Sequence, residues 1–187
     1  MSHPKRIYLA GPEVFFPADE HRAIVSQKKH ILREHGFEGV DPLDTDLVFA
    51  GHESKPERGS RIYLANRQLM DSCHAIIANL TPFRGISADP GTVFEVGYMI
   101  GQGKPAFGFT MDNRGYRERA GSTERDGLGH SIEDFQLNDN LMIECGMAES
   151  GGRLFVAEAA GAHAYFSGDL FGQCVKSLSG QLPNPLP

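Results

Sequence analysis

The sequence predicts an α/β fold in which a doubly wound parallel sheet of five strands is flanked by helices, in one domain over residues 1–187. Two observations carry this. Short apolar runs alternate with longer stretches whose apolar residues recur at helical spacing, the pattern of repeated strand–helix units. The first runs also end in turn signals, Gly11-Pro12 and Asp41-Pro42, as strands entering loops do. Composition agrees: 187 residues with 18 Lys+Arg against 24 Asp+Glu, 40% hydrophobic and 22% charged, exclude disorder, collagen and a disulfide scaffold. A chain of this length buries roughly 70% of its unfolded surface, enough for a core without metal or disulfide.

The elements follow in order. Arg6 to Ala10 is an apolar run stopped by Gly11-Pro12, hence a strand. Asp19 to His35 places Ala23, Ile24, Ile31 and Leu32 on one helical face, with Gly36 where a left-handed cap belongs. Phe37 to Val40 is a second strand, ended by Asp41-Pro42. Leu43 to Gly59 has no period and reads as a long loop over the sheet edge. Ser60 is placed to cap a helix running to Cys73, and Ala75 to Leu80 is a buried strand. Asp89 caps and Pro90 opens a helix to about Gly103, and Pro105 to Thr110 is the fourth strand. Met111 to His130, rich in Gly and charge, reads as an exposed loop. Leu141 to Met147 is helical, Leu154 to Ala157 a fifth strand, and Leu170, Phe171, Cys174, Val175 and Leu178 line a last helix. The result is a flavodoxin-like or Rossmann-like order, with ligands expected outside the carboxyl ends of the strands.

Several function classes drop out. A net charge of −6 argues against nucleic acid as partner. The 3 cysteines form no CxxC pair and read as small core residues, and the 8 histidines show no metal-ligand spacing. Neither a P-loop, a GxGxxG after the first strand nor a GxSxG elbow is present. No apolar run is long enough for a signal core or a membrane span, so a cytoplasmic protein is expected.

The loops after the first three strands bring Glu13, Asp41, Asp44, Asp46 and Asp89 towards one crevice, with Tyr8 one side chain inside the first strand. Such a cleft suits a neutral ligand with hydroxyls and ring nitrogens, or a cation. Glu95 stands out because Val93, Phe94, Val96, Tyr98, Met99 and Ile100 around it are apolar. A carboxylate packed there would be desolvated and would need a partner or a task, with the helix amino terminus helping to keep it ionised. The competing reading puts Glu95 on the solvent stripe. Asp89 has a competing reading as a helix cap, which leaves one carboxylate oxygen for a ligand. Gly91, Gly97 and Gly101 cost the helix about 1 kcal/mol each against Ala, so they point to close approach of a ligand or, for the last two, to helix packing.

Four segments then carry a resemblance: Tyr8-Leu-Ala-Gly-Pro-Glu-Val-Phe15, Thr81-Pro-Phe-Arg-Gly85, Asp89-Pro-Gly-Thr-Val-Phe-Glu-Val-Gly97 and Asn140-Leu-Met-Ile143. In this order they resemble the nucleoside 2-deoxyribosyltransferases, most closely the purine-preferring branch. The resemblance implies transfer of a 2-deoxyribosyl group between bases with retention, no metal and no cofactor. It implies Glu95 as nucleophile, Asp89 as the acid/base serving the bases, and Tyr8 as the residue orienting Glu95. Gly11 and Gly91 lie in the same matching segments and are assigned to substrate binding. Asn140 and Met142 resemble residues inserted into a neighbouring subunit's site, which implies a homo-oligomer built on a dimer, up to tetramer or hexamer. Asn66 stands where pyrimidine-accepting members carry an aspartate, and an amide both donates and accepts, which favours purines. Asp44 and Asp46 are candidates for the base edge, or solvated turn residues. The implied partners are a deoxynucleoside and a free nucleobase. Two alternatives remain: a hydrolase of deoxynucleoside 5′-monophosphates, with Arg84 or Ser87 at the phosphate, and a non-catalytic nucleotide sensor.

Overall fold

Strands β1 (Arg6–Ala10), β2 (Glu38–Val40), β3 (Ala75–Asn79), β4 (Ala106–Thr110) and β5 (Leu154–Val156) pair in the order β2-β1-β3-β4-β5, all parallel. This is a computed structural model, and it describes residues 3–121, 123–158 and 165–182. The order reverses between β1 and β3, the switch point where doubly wound sheets open a ligand crevice. Helices α1 (Ala18–Glu34), α2 (Lys55–Asp71), α3 (Pro90–Gly101), α4 (Tyr116–Ala120), α5 (Leu141–Glu149) and α6 (Gly168–Gln181) complete the fold.

Alternation of side chains along each strand sorts the core into two layers. Ile7 and Leu9 pack with Leu32 of α1 and Phe171, Val175 and Leu178 of α6. Tyr8 and Ala10 point to the other face, with Met70 of α2, Val96 and Met99 of α3, and Ile143 and Met147 of α5. Every residue of β3 and β4 is buried, including the polar Asn79 and Thr110 that end them, which is why both read as apolar runs without polar alternation. Gly36 closes α1 with φ 78°, the left-handed position expected of it.

Some elements differ from the sequence reading. The buried face of α1 is His21, Val25, Lys28 and Leu32, whereas Ala23 is exposed. Polar residues with buried partners took positions that an apolar count assigns to solvent. Helix α2 is capped by Ser54, not Ser60: Glu57 N donates to the Ser54 hydroxyl, and Ser54 N donates to the Glu57 carboxylate at 2.8 Å. Gly59, read as the end of a loop, and Ser60, read as the cap, lie exposed in its first turns. Helix α3 ends at Gly101, and Gly103 follows at φ 71°. The stretch read as a loop after β4 contains α4 and an antiparallel bridge between Arg125 and Ser131. Cys73 and Cys174 are buried as expected, but Cys145 is exposed. Among the described residues no helix is long and apolar enough to cross a membrane.

Candidate active site

Tyr8 and Glu95 meet at the carboxyl end of the sheet. Strand alternation turns Tyr8 toward α3, and the Tyr8 hydroxyl donates to Glu95 Oε1 at 2.7 Å. Glu95 therefore faces the sheet, while Phe94 and Gly97 occupy the exposed stripe. Asp89 caps the same helix: its Oδ2 accepts from Thr92 N at 3.0 Å and from the Thr92 hydroxyl at 3.3 Å, and Pro90 follows in the first turn. Among the described residues Asp89 Oδ1 takes no hydrogen bond, so one oxygen caps and the other is available.

Burial sets the electrostatics. The Glu95 carboxyl is pushed up to about 7, chiefly by burial, with the charges of Asp89 and Asp41 adding and the Tyr8 hydrogen bond opposing. The expected help from the helix amino terminus is outweighed. Burial and the neighbouring Glu95 hold the Tyr8 phenol far above its usual range, so it acts only as a donor. Asp41, at the end of β2, is itself raised, mainly by burial.

Not all the acids gathered by the loops face the crevice. Glu13 is 3% exposed, and its Oε1 accepts from Lys28 Nζ at 2.6 Å and Asn79 Nδ2 at 2.8 Å. It belongs to a buried pair beneath the floor. A Cβ on Gly11 would lie 1.9 Å from Glu13 Oε2 and 2.9 Å from Asn79 Cβ, so this pair is why residue 11 is glycine. Asp44 accepts from Asp41 N at 2.9 Å and holds Lys29 Nζ at 2.6 Å, which fixes the turn after β2. Asp46 is exposed further along that loop. Asn66 is half-buried on α2, and its amide makes no side-chain hydrogen bond among the described residues. A Cβ on exposed Gly91 would come 3.0 Å from Asp89 Oδ2. Asn140 caps α5, accepting from Met142 N at 3.0 Å, and Met142 is 75% exposed.

A cavity of about 820 Å³ opens between α1 and the loop after β2, lined by Phe16, His21, Val25, Lys29, Asp41 and Leu43. It borders the site through Asp41 but does not contain Tyr8, Asp89 or Glu95. Sequence reading placed Asp41 at the crevice but not its coupling to Tyr8 and Glu95, because Asp before Pro is already explained as a strand stop. Among the described residues no group of His, Cys, Asp and Glu is arranged to hold a metal.

Comparison with known proteins adds to this geometry. The family model for nucleoside 2-deoxyribosyltransferase matches residues 7–142. An uncharacterized protein of Schizosaccharomyces pombe is 38% identical over 129 residues, 68% of this chain and 60% of that protein's length. A 2-deoxyribosyltransferase structure from Leishmania mexicana superposes with TM-score 0.67 at 30% identity, covering 92% of this chain and 98% of the other. A CMP N-glycosidase from Clostridium botulinum shares the fold with TM-score 0.50 at 13% identity, over 92% of this chain and 98% of its own.

Proposed function

The chain belongs to the nucleoside 2-deoxyribosyltransferase family, and from that premise we propose that it moves 2-deoxyribose between nucleobases, purines above all, through a covalent deoxyribosyl–Glu95 intermediate. One observation carries the reading: the 2.7 Å hydrogen bond from Tyr8 to a desolvated Glu95 whose helix is headed by Asp89. In the first half-reaction the Glu95 carboxylate attacks the anomeric carbon. The glycosidic bond breaks with its electron pair going to the base, and Asp89 gives that base a proton. In the second, a ring nitrogen of the incoming base attacks the same carbon, the bond to Glu95 breaks, and Asp89 takes the proton. Two inversions give retention.

Site electrostatics support this order. Burial and two nearby carboxylates make the Glu95 charge costly. A transition state with oxocarbenium character brings the missing positive charge, so the interaction strengthens as the barrier is climbed. The absence of a 2-hydroxyl on the donor eases that cation's formation. In this reading Asn66 presents its amide to a purine edge, exposed Gly91 leaves room beside the sugar, Asp44 and Asp46 serve the base side, and Gly11 acts from beneath by making room for the buried Glu13 and Asn79.

The same proposal makes the protein a homo-oligomer in which Asn140 and Met142 complete a neighbour's site. Met142 is 75% exposed, and Tyr63 (46%), Phe94 (53%) and Tyr98 join in an exposed aromatic row, with ring centroids 6.3 Å apart at each step. Exposed apolar side chains of this kind support that reading. A Cβ on Gly97 or Gly101 would meet nothing within 4 Å in this chain, so packing inside the subunit does not explain those glycines.

Chromatography of the protein with deoxyinosine, with and without free adenine, tests the reading. Deoxyadenosine is the expected product; hypoxanthine and free deoxyribose alone would replace transfer by hydrolysis. A second reading, hydrolysis of a deoxynucleoside 5′-monophosphate, is favoured only by Arg84. Its guanidinium lies 4.8 Å from the Phe15 ring and 4.7 Å from the Phe83 ring and has no ion-pair partner among the described residues. Ser87, the other candidate for the phosphate, is bonded to Asp139.

A further inference from the structure

Asp139 is 2% exposed and makes contacts that the proposed chemistry does not use. Its Oδ2 accepts from Ala88 N at 2.9 Å, and its Oδ1 accepts from the Ser87 hydroxyl and from Asn140 N at 2.8 Å. One carboxylate thus grips the chain immediately before Asp89 and the chain immediately before α5. Arg119 of α4 holds it from behind, with Nη2 3.8 Å from Asp139 Oδ2 and side-chain exposures of 4% and 2%. The same guanidinium donates through Nε to Ile86 O at 2.7 Å and through Nη2 to Asn138 O. Glu144 fixes the segment from the other side, accepting from Asp139 N at 2.9 Å. Residues 86–88 and 138–140 are therefore clamped to one buried ion pair.

Burying two charges is costly unless every polar atom is matched. This pair is matched from the loop that ends in Asp89 by Ala88 N, Ile86 O and the Ser87 hydroxyl, and from outside it by Asn140 N, Asn138 O and Arg114 O. We propose that Asp139, held by Arg119, is a positioning residue of the active site: it fixes where the Asp89 carboxyl stands relative to the departing base, and α4 exists in the segment after β4 to supply the arginine. The inference rests on the acid/base role given to Asp89 above. A shift of Asp89 by a fraction of an ångström would lengthen the proton's path to the base while leaving Glu95, anchored by Tyr8, in place. The loss would then fall on donors whose base needs the proton most.

The test compares Asp139→Asn, Arg119→Lys and Ser87→Ala with the wild type over donors whose bases leave with different ease, each in the Asp89 and the Asp89→Asn background. For Asp139→Asn, kcat for poorly leaving bases is expected to fall roughly tenfold to a hundredfold, with little loss for readily leaving ones. In the Asp89→Asn background the same change is expected to add almost nothing, because the two residues act through one group. Ser87→Ala, which leaves both charges in place, keeps the test open if Asp139→Asn fails to fold; it is expected to show a smaller loss with the same dependence on the base. Equal losses across all donors, or the same loss in both backgrounds, would overturn the inference and leave the pair a structural one. No exchange or hydrolysis by the wild type with any deoxynucleoside or its monophosphate would overturn the functional reading first, and this inference with it.

Discussion

At the residue scale the site is one carboxylate held where it is reluctant to be charged. Only its ionised form attacks carbon, so kcat/KM is expected to rise with pH through an acid limb near 7, where the Glu95 carboxyl titrates. The Tyr8 hydrogen bond favours the charged form; Tyr8→Phe removes it, and the limb should move to higher pH, as a pH–rate series will read. Stability carries the opposite sign. Because the folded value lies above the 4.5 of a free glutamate, Glu95 favours the fold below about 4.5 and loses that contribution as pH rises through 7. Glu95→Gln should therefore gain stability over the wild type above pH 7 and not at pH 4, by at most on the order of 3 kcal/mol, while losing turnover. Melting curves at the two pH values check this. The sequence marked Glu95 by its apolar neighbours, but the choice between sheet and solvent needed the rotation of α3, which six apolar neighbours on all sides do not define.

At the element scale, position follows from caps and close approaches. Ser54→Ala removes half of a capping box on α2 and should cost about 1 kcal/mol in urea titration. Gly152→Ala should cost far more, above roughly 3 kcal/mol, because its Cβ would lie 1.8 Å from Ala106 O beside β4; a midpoint close to wild type would show that β4 can yield there. Strands β1, β3 and β4 and helices α3 and α6 were legible from apolar runs, from Asp89-Pro90 and from the periodicity of Leu170 to Leu178. The start of α2 was not, since a first turn of Lys, Pro, Glu, Arg and Gly carries no apolar signal and its capping box sits inside a polar stretch. The buried face of α1 was misread for a related reason: Lys28 is neutralised by Glu13, a partner 15 residues away that periodicity cannot see.

At the scale of the whole molecule, the doubly wound order puts Tyr8, Asp89 and Glu95 on the side of the β1/β3 switch point that α3 covers, and leaves Met142 and the aromatic row of α2 and α3 facing outward. If neighbouring subunits complete each other's sites, mixing inactive Glu95→Ala with inactive Asn140→Ala protein should restore part of the activity once subunits exchange; no recovery in demonstrably mixed oligomers would confine each site to one chain. The most direct test of the central claim is mass spectrometry of protein quenched in acid during turnover of a deoxynucleoside without acceptor. One added deoxyribosyl group on the peptide containing Glu95, absent from Glu95→Ala, is the predicted result. Turnover with no adduct, or with the adduct on another residue, would contradict it.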